Sequence, residues 1–186
     1  MEGPGAETDM RRWILGYAIP APHSHNMQFW LVDLRGPNEL VLHCDLNRLL
    51  PETDPFSRQI MVSHGTFLEL LDIAARERGL RAEVSLFPEG PFGPSTRDQR
   101  PVARIRLMPD PCGTQGPAVR TDPPTPRQSQ SVRPARRVPA DAWQSMLESV
   151  KPNPLRFGFV GTDQLNALRR HQTIAAEAWR IELTTP

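Results

Sequence analysis

Residues 21–30 read A-P-H-S-H-N-M-Q-F-W, and this junction separates a helical pattern before it from a strand pattern after it. Pro20 and Pro22 fix their own φ and push the residues before them toward extended geometry, so a helix arriving from the N-terminal side ends here. The corner is rigid and crowded with two imidazoles, a hydroxyl and two carboxamides. Asn26 and Gln28 each offer a donor and an acceptor on one planar group, the complement of a heterocycle edge on which C=O and N–H alternate. The plainer reading is a helix end whose amides satisfy nearby backbone.

Working outward, Thr8 or Asp9 can cap a helix running to about Tyr17, with Trp13, Ile14 and Tyr17 on its apolar side. After the corner, Trp30, Val32 and Leu34 alternate with Leu31, Asp33 and Arg35. The turn Gly36-Pro37-Asn38 and a second strand over residues 39–45 then complete a hairpin. At Asp54-Pro55, an N-cap followed by a good first helical residue, the period changes. Ile60, Met61, His64, Phe67, Leu68, Leu71, Ala74 and Ala75 recur at three- and four-residue intervals until Gly79. Two more strands are expected over residues 81–87, with Ala82, Val84 and Leu86 on one face, and over 102–108, with Ala103, Ile105 and Leu107 on one face. Helices flanking a small, mainly antiparallel sheet define an α+β class.

Residues 109–139 hold eight prolines and little aliphatic content, which reads as a linker or a long surface excursion. A second unit follows, with a helix near 141–150, an apolar strand over 155–160 and a helix over about 163–183. The expected organisation is therefore a first half over 1–108, the linker over 109–139, and the start of a second, similar but incomplete half over 140–186.

The 186 residues carry 22 basic and 21 acidic side chains, a balance that gives no surface-wide attraction to nucleic acid or to a membrane surface. Cys44 and Cys112 are too few for a disulfide framework. No apolar run approaches the roughly 18 residues of a membrane span. A reduced, cytoplasmic compartment is the default expectation, and an exported protein with free thiols is the alternative.

The corner closely resembles the A-P-S-x-x-N-x-Q-P-W signature of the FMN-dependent nitroreductase family. Asn26, Gln28 and Trp30 match in place and Ser24 stands one position after the signature's serine, whereas His23 stands where the family has Ser and Phe29 where it has Pro. Residues 45–65, D-L-N-R-L-L-P-E-T-D-P-F-S-R-Q-I-M-V-S-H-G, look like the next block of the Acg-like branch, in which two nitroreductase-type halves are fused. Ser131 and Arg133 match the R-x-S-x-R phosphate-binding block of that family, and Ser129 replaces its first arginine, a role that falls to Arg127 if it reaches in. Arginine forks and a hydroxyl suit phosphate oxygens.

The resemblance implies an FMN-binding oxidoreductase that takes hydride from NAD(P)H and reduces a nitro or quinone acceptor, a small molecule. Ser24, His25, Asn26 and Gln28 would lie at the flavin, and Arg127, Ser131 and Arg133 at its phosphate. It further implies a homodimer or a fused pseudo-dimer, with FMN held between two units, and a chain shorter at its C-terminus than its relatives. No side chain is assigned as a catalytic acid or base. The alternatives are an FMN-sequestering protein without turnover, and a small metal-binding domain using His23, His25, His43 and His64 with Cys44 and Asp45.

Overall fold

The computed structural model describes residues 5–93, 98–111, 138–151 and 154–184. The chain divides into a unit over residues 1–127 and a unit over 128–186. Arg127, Ser131 and Arg133 lie outside the described residues, as does Cys112.

In the first unit, α1 (Met10–Ala18) starts at Asp9, whose carboxylate accepts from the Arg11 N–H at 2.9 Å. A bridging Arg11 guanidinium holds the Asp9 carboxyl down at about 2, so this cap stays charged well into acid. The helix stops one residue after Tyr17, where the proline corner begins. Strands β1 (Trp30–Arg35) and β2 (Glu39–Cys44) form the expected hairpin, and Gly36 takes a φ of +57° at the turn.

Helix α2 (Arg58–Arg76) begins later than Asp54-Pro55 predicts. Ser57 sits at a φ of +51°, which breaks helical continuity, so residues 54–57 form a turn with Pro55 inside it. Asp54 still caps the helix from a distance. Its buried carboxylate accepts from the Arg58 N–H at 2.8 Å and from the Ile60 N–H at 3.0 Å, two donors that helix geometry leaves without partners. After α2, Gly79 at a φ of +68° reverses the chain into β3 (Leu80–Leu86), which pairs with β4 (Ala103–Pro109).

The four strands form one antiparallel sheet in the order β1-β2-β4-β3. The registers Trp30↔Cys44, Val32↔Leu42, Leu40↔Ile105 and Ala82↔Leu107 place the apolar alternates of every strand on one face. Against that face pack Trp13, Ile14 and Ala18 of α1 and Ile60, Phe67 and Leu71 of α2, a single buried cluster. The other face carries the ion pairs Arg35–Asp33, Arg104–Glu39 and Arg106–Glu83. Both helices thus follow from two-period patterning on one side of a half-solvated sheet. The expected face of β3 is only partly covered. Ala82 is half-buried, but Val84 and Leu86 are exposed because β3 is an edge strand whose C-terminal half no described helix covers.

The second unit contains α3 (Ala140–Val150) and α4 (Leu165–Thr184). The strand expected over residues 155–160 does not form. A lone apolar run has no ladder partner among the described residues of this unit, and an unpaired strand leaves its backbone groups without hydrogen bonds. The segment instead lays Phe159 on Trp143 of α3, with the rings stacked at 4.4 Å and 11°. Trp143 is therefore half-buried, while Trp179 of α4 is exposed. No described helix is long and apolar enough to cross a membrane.

Candidate functional site

The corner is built from strained backbone and held from three directions. Residues 24–26 make one turn of 3-10 helix, closed by the Met27 N–H on the Ser24 carbonyl at 3.2 Å. His25, Asn26 and Gln28 take φ values of 53°, 55° and 50°, in the left-handed region that side chains other than glycine and asparagine seldom enter. Such a backbone persists only where surrounding contacts impose it.

Those contacts come mostly from α2 and the loop before it. The Ser24 hydroxyl donates to the Gln59 side-chain oxygen at 2.9 Å, and two turns along the same helix the Thr66 hydroxyl shares its one proton between the Pro22 and Ser63 carbonyls, each at 2.8 Å. Arg48 donates to the Met27 carbonyl at 2.9 Å while pairing with Asp45 at 3.2 Å. Arg48, Asp54 and Arg58, which the sequence groups around one loop, are thus divided. Arg48 holds the corner, and Asp54 is spent on backbone. Gln59 and Thr66 carry no signal in the local pattern, since they meet the corner across 35 and 44 residues of chain.

Under the corner lies a column of rings. The His23 ring stands edge-on to Trp30, with centroids 4.9 Å apart at 71°, and Trp30 stands edge-on to His64 at 6.3 Å and 89°. Phe67 packs beside Trp30 at 5.1 Å. His23 Nδ1 donates to the Ala21 carbonyl at 2.6 Å and His64 Nδ1 to the Ile60 carbonyl at 2.8 Å. His23 is therefore a packing residue with a backbone partner, a role that its place in the signature does not announce.

Above the column, His25 and Asn26 are exposed and Gln28 is half-buried. Neither carboxamide has a hydrogen-bond partner among the described residues, nor has the His25 ring. The plainer reading, amides consumed by local backbone, does not hold at Asn26 or Gln28. Ser24 differs, because its proton is committed to Gln59 and only its lone pairs remain to accept.

The histidines do not assemble a metal site. Among the described residues no three His, Cys, Asp or Glu side chains are grouped as an ion would require. His43 lies on the outer face of the sheet, with Nδ1 on the Gln99 carbonyl at 3.0 Å and Nε2 3.7 Å from Asp33. His23 and His64 are separated by Trp30. A shallow cleft lined by Arg35, Asn38, Arg106 and Met108 lies at the opposite end of the hairpin and shares no residue with the corner.

No family model matches this chain, and no curated protein matches it.

Proposed function

We propose that the corner binds FMN and that the protein is a nitroreductase-like oxidoreductase, drawing hydride from NAD(P)H and passing it to a nitro or quinone acceptor. The observation that carries this reading is the pair of carboxamides, Asn26 and Gln28, without a hydrogen-bond partner among the described residues, displayed on a backbone that three separate hydrogen bonds hold in left-handed conformations. Strained backbone presenting unspent polar groups is the usual mark of a ligand site.

The residues fit the edge of a flavin ring. Two planar amides supply two donor–acceptor pairs, and His25 beside them adds an exposed ring nitrogen to lean on a cofactor or substrate oxygen. FMN, when bound, supplies the redox chemistry. The chain's own residues hold and orient: Gln59, Thr66 and Arg48 fix the corner, and Asn26 and Gln28 present their amides from it. The phosphate assignment to Arg127, Ser131 and Arg133 rests on the sequence.

The test is the visible spectrum of the purified protein, followed by denaturation and identification of the released cofactor. The expected result is a flavin spectrum with release of FMN, and then oxidation of NAD(P)H in the presence of a nitroaromatic or quinone. Failure to bind added FMN overturns the reading. Tight FMN binding without turnover converts it to a flavin-sequestering protein.

A further inference from the structure

We propose that His64 is a proton-operated latch for the corner, transmitting mild acidification through Trp30 and His23 to residues 24–28. The inference stands on the ring column and is independent of what the corner binds.

Both imidazoles give their Nδ1 proton to a backbone carbonyl, so each is left with a lone pair on Nε2. Both Nε2 atoms are buried without a hydrogen-bond partner, and so is the indole Nε1 of Trp30 between them. In the neutral form the column therefore holds two unspent acceptors and one unspent donor in the core. Such groups are costly and call for a role.

His64 is the deepest of the three, 1 % exposed, and its ring ties the apolar face of α2 to Trp30. Burial pushes its pKa below the ordinary 6.5, while the Ile60 carbonyl and the His43 backbone pull the other way. The core-facing positions of α1, β3 and β4 are apolar apart from half-buried Tyr17. The other ionisable groups of the described core are Cys44 of β2 and, against Trp30, His23 of the corner; buried Asp54 ahead of α2 has its carboxylate bonded to two N–H groups. The Ile60 and His43 backbone carbonyls offset part of the cost of charging His64 but less than burial imposes, and the Asp54 carboxylate is already spent.

The sign follows from linkage. A histidine whose folded pKa is depressed leaves the packed state fully stable above the unfolded value of 6.5, and that stability is lost as the pH falls toward the lowered value. The corner is the part that yields first. Three left-handed residues strain it, and three side-chain hydrogen bonds hold it, whereas the sheet beneath has a continuous ladder.

The experiment is amide hydrogen exchange read by NMR between pH 7.5 and 5, with 5-fluorotryptophan resonances recorded alongside and the Trp30 signal assigned by its loss in Trp30→Phe. The Met27 N–H, bonded to the Ser24 carbonyl, reports the corner. The Val102 N–H, bonded to the Leu42 carbonyl, reports the sheet. The expected result is that protection at Met27 falls as the pH drops below 6.5, with a slope of at most about tenfold per pH unit, that of one proton, while Val102 keeps its protection and the Trp30 resonance moves. His64→Gln, which can still donate but cannot titrate in this range, should abolish the response. Should that variant fail to fold, the ring-proton titration of His64 in the unaltered chain replaces it, and its midpoint should coincide with the Met27 transition. Loss of protection at Met27 and Val102 together, an unmoved Trp30 signal, a response surviving in His64→Gln, or a His64 midpoint apart from the Met27 transition overturns the latch.

Discussion

Asn26 and Gln28 are the residues on which the ligand reading turns, and they behave differently from the corner residues around them. Their side chains hydrogen-bond to no described residue, so Gln28→Ala should lower the melting temperature little and Asn26→Ala only by asparagine's better tolerance of left-handed backbone. Each should weaken FMN binding by the worth of a hydrogen bond, about 0.5–1.5 kcal/mol. Flavin fluorescence titration beside thermal melts checks both, and variants that melt early while holding FMN would make these amides structural. His23 is the opposite case. Restoring the family's serine by His23→Ser removes a ring that packs on Trp30 and a bond to Ala21, so it should loosen the corner and weaken ligand binding. The signature alone predicts an improvement instead. An equilibrium melt with an FMN titration separates the two outcomes, and unchanged stability with tighter binding would favour the signature.

At the scale of elements, α2 is the organising piece, since one face closes the core and its flank clamps the corner. Asp54→Ala removes the acceptor of two helix N–H groups and should destabilise the first unit by about 0.5–2 kcal/mol, the worth of a cap. Urea denaturation measures it, and no change would mean that other groups satisfy Arg58 and Ile60. Strands β4 and β3 present a second contrast. Ile105 is fully buried and its cross-strand partner Val84 is exposed, although both lie on the same face. Ile105→Ala should cost about 2–5 kcal/mol and Val84→Ala much less, because only the first leaves a cavity. Equal losses in denaturant melts would mean that the edge of β3 is covered in solution.

At the scale of the whole molecule, every buried residue described belongs to the first unit, and none of α3 or α4 is buried. Residues 1–127 alone should therefore unfold cooperatively, whereas residues 128–186 alone should show helical circular dichroism without a cooperative transition. Exposed apolar side chains stand on two sides of α4, Ile174 with Ile181 on one and Trp179 with Leu183 on the other, and such exposure favours association. Sedimentation of the full chain over a range of concentrations should show self-association that a chain of residues 1–127 lacks, and identical behaviour of the two would exclude α4 as the cause.

Patterning in the chain determined the α+β class, because period-two and period-3.6 repeats state which side of each element is apolar. It located α1, the hairpin, β3, β4 and the body of α2 to within a few residues. The proline corner was legible too, since Pro20 and Pro22 act on their own neighbours whatever surrounds them. Helix α2 started late because a left-handed Ser57 and a buried Asp54 carboxylate set its first turn. Local propensity cannot anticipate that. The strand over 155–160 was misread for a related reason, as apolar composition permits a strand but only a ladder partner makes one. Val84 and Leu86 were assigned to a core that does not reach them, since strand order decides which strand lies at the edge. The clamp by Gln59 and Thr66 and the column His23–Trp30–His64 depend on contacts between residues tens of positions apart. Only tertiary packing can bring such groups together, because a side chain's partners are set by where the backbone returns and not by its neighbours in the chain.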